Sequence, residues 1–89
     1  MERDKQLDEY MATNLMNWES GAVEWFEPTA DWKHAMWCIE KLDASWSVKD
    51  GHYVSIQYKD CFAFETGNNI PLAICSAIRK ILKLKEEQQ

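Results

Sequence analysis

Residues 45–66 read SWSVKDGHYVSIQYKDCFAFET, and their period decides the fold. Trp46 and Val48 alternate with Ser47 and Lys49, Val54, Ile56 and Tyr58 with Tyr53, Ser55 and Gln57, and Phe62 and Phe64 with Cys61, Ala63 and Glu65. A period of two marks strands, so strands are expected at 45–49, 52–58 and 61–66. Antiparallel partners point to the same side, and Trp46 and Val48 share a face with Val54 and Ile56 only if the loop between them is odd. Lys49-Asp50-Gly51 supplies three residues with glycine last, the sequence of a type I turn plus a bulge. A second three-residue loop, Lys59-Asp60-Cys61, aligns Tyr58 with Phe62 and Ile56 with Phe64. The expectation is a three-stranded antiparallel meander with one strongly apolar face. Its other face (Ser47, Tyr53, Ser55, Gln57, Cys61, Ala63) would be small and polar, with room for a helix or a partner.

On both sides of the meander the apolar spacing changes to three and four, the helical repeat. Leu7, Tyr10, Met11, Leu15 and Trp18 form one stripe over 3–19, and Gly21 follows where a left-handed residue ends a helix. Residues 22–26 are rich in β-formers but stop before Pro28, so a short edge strand and a packed loop are both open readings there. Thr29 is placed to cap a helix over 30–42, with Asp31 in its first turn. The core stripe of that helix is Trp32, Ala35, Ile39 and Leu42, with Met36 alongside, and Trp37 falls off it. Gly67-Asn68-Asn69 and Pro71 open a last helix over 70–85, lined by Ile74, Ala77, Ile78 and Ile81. The whole is one α+β domain, 1–89, in the order α-(β)-α-β-β-β-α.

Composition narrows the function. The chain has 89 residues with 46% hydrophobic, 10 Lys+Arg against 15 Asp+Glu, and five Trp. A fold this size buries only about 60% of its unfolded surface, and large aromatic side chains help to fill it. No stretch approaches the ~20 apolar residues of a membrane span, and the charged start MERDKQLDEY lacks the apolar core of a signal peptide. Cys38, Cys61 and Cys75 are odd in number and make no CxxC pair, which fits a reducing cytosol. Residues 1–31 hold eight acids and two bases, whereas residues 70–85 hold four bases and no acid. An acidic chain is poorly suited to binding nucleic acid through phosphates.

No constellation of catalytic residues is visible. His34 and Cys38 share a helical face without a third ligand, so no metal site is expected. No nucleophile elbow or phosphate-cradling glycine loop is present, and neither a catalytic residue nor a cofactor is assigned. The distinctive feature is tryptophan away from the core stripes. Trp18, Trp25 and Trp37, with Lys33, Lys41 and Arg79 as nearby cations, are the candidate binding residues. Tryptophan dominates binding hot spots and also stacks on nucleobases. Satellite packing around a thin core is the structural alternative.

Leu7-Asp8 and Asn17-Trp18, the Thr29, Trp37 and Glu40-Lys41-Leu42 helix, and above all Ala63, Glu65-Thr66, Pro71-Leu72-Ala73-Ile74-Cys75 and Ala77 stand out together. With these pieces the chain resembles a family of small phage and prophage proteins, the phage α/β/α sandwich domain. The stretch between Trp18 and Thr29 is shorter than in that family. The resemblance implies a small α/β/α sandwich, the host cytoplasm, and no enzymatic activity. That phage context, with the small size, the acidity, the surplus of aromatics and the absence of catalytic residues, points to a non-catalytic, homo-oligomeric binding protein that counteracts a host anti-phage defence factor. The partner would be a defence protein or a small nucleotide signal. The alternatives are a nucleic-acid accessory protein, since helix, three strands and helix echo the order of double-stranded-RNA-binding domains, and a structural or regulatory prophage protein.

Overall fold

A computed structural model describes residues 3–18 and 24–87. Helix α1 (Lys5–Tyr10) starts at Asp4, whose side chain accepts the Leu7 N–H, and passes into a π-helical turn over Met11–Leu15. There Met16 N–H donates to Met11 C=O at 3.0 Å, one residue beyond the α spacing. Left-handed Asn17 (φ 61°) ends the run, and Trp18 N–H reaches back to Ala12 C=O at 2.8 Å. The helix thus runs over Lys5–Leu15 rather than 3–19: Leu7, Met11 and Leu15 of the expected stripe are buried on it, while Trp18 lies beyond its end and is 37% exposed. Gly21 and the first residues of the 22–26 stretch lie outside the described residues. Glu24 and Trp25 form a turn, not a strand.

Helix α2 (Trp32–Leu42) is capped by Asp31, whose carboxylate accepts the Lys33 and His34 N–H groups. This corrects the expected Thr29 cap. Thr29 is fully buried instead: its N–H donates to Asp8 Oδ1 at 2.9 Å and its hydroxyl accepts the Asp4 N–H at 2.9 Å. The buried face of α2 is Ala35, Cys38, Ile39 and Leu42, while Trp32 is 42% exposed. The small thiol of Cys38 takes the place that the sequence pattern gave to a large indole. Left-handed Asp43 (φ 59°) closes the helix.

Strands β1 (Ser45–Lys49), β2 (Tyr53–Tyr58) and β3 (Cys61–Thr66) form an antiparallel sheet in that order. Trp46 pairs with Ile56 and Val48 with Val54, so the first hairpin keeps its expected faces. Its loop sits one residue later than expected, at Asp50-Gly51-His52, with positive φ at both Asp50 and Gly51.

The second hairpin differs. Tyr58 pairs with Cys61 across a two-residue loop, Lys59-Asp60, in which Lys59 takes a positive φ of 53°. Shifting a register by one turns every side chain over. Cys61 and Ala63 therefore join Val54 and Ile56 on the inner face, and Phe62 and Phe64 lie on the outer face with Tyr53, Ser55 and Gln57. Packing explains the choice. Helix α3 (Ile70–Glu87) crosses β2 and β3 with Ala73, Ile74, Ala77, Ile78 and Ile81 buried, and small Cys61 and Ala63 leave room for it.

The order and the α+β class are as expected. The two earlier helices join α3 on the inner side of the sheet and share one core with it. Among the described residues nothing covers the outer face, where Phe62 is 53% and Phe64 50% exposed. No described helix is long and apolar enough to cross a membrane.

One buried polar cluster fixes the first helix to the 24–31 segment. Asp8 is completely buried, accepts Arg3 Nε at 2.6 Å and the Thr29 N–H, and so joins the chain's start to a turn twenty-one residues on. Arg3 also donates to Phe26 C=O at 3.3 Å and approaches Glu27 at 3.6 Å. A buried carboxylate needs such partners because an unpaired charge in an apolar interior is very costly.

Candidate binding surface

The Asp8 cluster holds Phe26 in the core, and Phe26 is the floor on which an aromatic surface is built. Its ring is fully buried and meets Trp18 edge-on at 5.0 Å, Trp25 edge-on at 5.9 Å and His34 at 5.3 Å. Above this floor Trp18 and Trp25 lie 5.3 Å apart, and Trp25 meets His34 at 6.0 Å. On the far side Trp37 stacks on His34 at 4.9 Å with only 29° between the rings. One turn of α2 separates His34 from Trp37, which brings the two onto one face.

His34 organises the group. Its Nδ1 accepts the Glu27 N–H at 3.0 Å, which locks the ring plane, and its Nε2 lies 3.9 Å from Asp31. The ring is thereby turned flat to Trp37 and edge-on to Trp25. This use of Nδ1, with Cys38 fully buried beneath, separates the two side chains that the sequence placed on one helical face. Among the described residues no group of three or more His, Cys, Asp or Glu could hold a metal ion.

The structure thus brings together Trp18, Trp25 and Trp37, which are 37%, 54% and 39% exposed. Lys33 and Lys41 are exposed on α2, the first beside His34 and the second one turn beyond Trp37. Arg79 is placed elsewhere, on α3, where its charge acts on Tyr10 of the first helix. Carboxylates are frequent in the same segments: Glu24 and Glu27 before the helix, Asp31 at its cap 3.9 Å from His34, and Glu40 along it. Sequence pattern missed Phe26 and His34 as the members that connect the three tryptophans. The signal available was the His34–Trp37 spacing of three.

The thiols are not part of this surface. Cys38, Cys61 and Cys75 are all free and buried. A hydrogen bond with Cys38, and then burial, hold the Cys75 thiol well above its ordinary 9.0, so it stays protonated. No protein-family model matches the chain, and neither a curated protein nor a solved structure matches it.

Proposed function

We propose that this chain is a small non-catalytic binding protein that docks a partner protein on the surface of Trp18, Trp25 and Trp37. The observation that carries this reading is that three tryptophans, each more than one-third exposed, are held in fixed orientations by Phe26 and His34. Rigid, half-exposed aromatics lose little freedom on binding and bury much apolar area, which is the composition of interface hot spots. The carboxylates of Glu24, Glu27, Asp31 and Glu40 in these segments favour a partner with a basic patch, because complementary charge speeds encounter and selects against wrong partners.

Taken with the resemblance to small phage proteins, the partner is a factor of a host's anti-phage defence, met in the host cytoplasm. Sequestration of that defence's nucleotide signal between copies of the chain is the second form of this reading, supported by the stacking capacity of the same rings. The test is a plaque assay in a defence-carrying host that expresses the protein or its Trp25→Ala/Trp37→Ala variant. Restored plaquing with the natural chain, lost with a variant of unchanged circular dichroism, supports the reading. Equal behaviour of the two overturns it. Native mass and the 260/280 nm absorbance ratio of the purified protein separate the two forms.

A further inference from the structure

The sheet has two edges, and they differ in how they end. His52 C=O accepts the Gly67 N–H at 2.9 Å, so the even-numbered residues of β2 turn their backbone groups to β3, and Tyr53, Ser55 and Gln57 turn theirs to β1. Phe64, the partner of Ser55 on β3, therefore points its C=O to the free side, where Lys80 Nζ donates to it at 3.2 Å and is itself bound by Glu65. A charged pair laid across an edge keeps other strands away. On β1 the same alternation leaves the N–H and C=O of Trp46 and Val48 facing outwards. Among the described residues no hydrogen bond reaches them, and β1 has no proline. The side chains of the same two residues lie on the inner face, beyond α3, which packs on β2 and β3. Trp46 thus stays exposed beside a core that it does not join.

The open edge fits a second copy of itself. In an antiparallel pairing about a two-fold axis at Ser47, Trp46 of each copy lies opposite Val48 of the other. These are the two residues whose backbone groups are free, so the pairing makes four hydrogen bonds and leaves none of those groups unpaired. Moving the axis by one residue loses this. Centred on Trp46, it sets Val48 against Ala44, whose N–H already donates to Ile39 C=O. Centred on Val48, it sets Trp46 against left-handed Asp50 in the turn. The axis at Ser47 also joins an indole to a β-branched side chain on the inner face, a favourable cross-strand pair. Lys49 then lies opposite Ser45, with Asp43 of the second copy two residues further on, and no like charges meet. Net charge does not oppose the approach, since residues 44–60 hold two bases and two acids although the whole chain carries −5.

We propose that β1 pairs with β1 of a second copy, joining two three-stranded sheets into one of six strands. This contact is independent of the tryptophan surface. A five-residue strand is about 17 Å long, so the contact falls short of the ~800 Å² per partner of a permanent dimer, and association should depend on concentration. The test is sedimentation equilibrium from about 1 μM to 1 mM. The average mass of the natural chain should rise from 10.5 kDa towards twice that value. Val48→Pro removes an outward N–H that β2 does not use, so the variant should keep its circular dichroism and stay at 10.5 kDa throughout. Ser47 meets its own copy at the axis. Ser47→Lys and Ser47→Glu should therefore each weaken association about two- to fivefold, and an equal mixture of the two should recover it. This exchange decides the matter even if Val48→Pro does not fold. Trp25→Ala/Trp37→Ala should associate as the natural chain does. A monomer at every concentration would overturn the proposal and leave the edge to a strand of another protein. So would a dimer that survives in a folded Val48→Pro variant, a mixture no tighter than its two components, or a dimer lost in the folded double tryptophan variant, which would put the contact on the other surface.

Discussion

Replacing Asp8 by asparagine isolates the contribution of the one fully buried carboxylate among the described residues. The natural side chain serves two donors, Arg3 Nε at 2.6 Å and the Thr29 N–H at 2.9 Å. A carboxamide has a single acceptor oxygen and turns an NH₂ towards whichever donor it does not serve. The loss is one charge-assisted hydrogen bond, worth about 1.5–3 kcal/mol, with a donor left facing a donor. Breaking an isolated buried pair costs about 3–5 kcal/mol. Here Arg3 keeps Phe26 C=O and Glu27, and its side chain is 20% exposed, so the lower part of that range applies. The expected cost is about 2–3 kcal/mol, a large share of the roughly 4–13 kcal/mol that holds a domain of this length folded. At about 4–8 °C per kcal/mol the melting temperature should fall by roughly 10–20 °C. Thermal unfolding followed by far-ultraviolet circular dichroism measures it. A double-mutant cycle with Arg3→Gln should return a coupling of about 1–2 kcal/mol. A melting temperature within about 3 °C of the natural chain, or zero coupling, would show that the pair does not fasten the first helix to the 26–29 turn.

Tyr10 carries a buried hydroxyl without a hydrogen-bond partner, so Tyr10→Phe should raise stability by up to about 1 kcal/mol in a urea titration. Burial first, then Glu86, lift its phenol above the ordinary 10.0, with Arg79 opposing. A raised folded value means that this group's share of stability is whole below pH 10 and is lost as pH rises through the folded value, so the variant's advantage should widen in alkali. The β3 register is checked by contrast: Ile56→Ala should cost about 2–5 kcal/mol, whereas Phe62→Ala should cost about 1 kcal/mol or less in the same titration. Equal losses would restore the three-residue loop. All three thiols should resist an aromatic disulfide reagent in the folded protein and react at once in guanidinium, and a fast-reacting thiol in the native state would contradict their burial.

The elements were legible wherever one period ran unopposed. The alternation through 53–58 and the stripe of Ile74, Ala77, Ile78 and Ile81 each admit a single burial, and the structure has it, whereas on the edge strand β1 Trp46 shares the inner face but stays 43% exposed. Legibility failed where a choice depended on a distant neighbour. Phe62 and Phe64 look like core residues in isolation. Whether they or Cys61 and Ala63 face inwards is decided by how closely α3 approaches, and only the smaller pair admits a helix with its own alanines at the contact. Thr29 and Asp31 are both competent caps. The choice fell to Asp31 because the Thr29 N–H and hydroxyl were already taken by Asp8 and Asp4, twenty-odd residues earlier. In the candidate surface, the tryptophans were visible by composition. Their connection through His34 was not, since it depends on Glu27 fixing the imidazole from across a turn.

The π turn at Met11–Leu15 has a bearing on how sequences are compared with this one. It holds one residue more than a regular helix would need to travel the same distance, so the chain leaves it at Met16 rotated by about 100° relative to an uninterrupted helix. A related chain lacking one residue in this stretch would straighten to α pitch and still deliver an indole to Phe26, but from a different position in its numbering. Pairing such chains by an unbroken heptad-like count would then mismatch the aromatic surface. Asp8 on one side and left-handed Asn17 on the other are the fixed points from which that comparison should start.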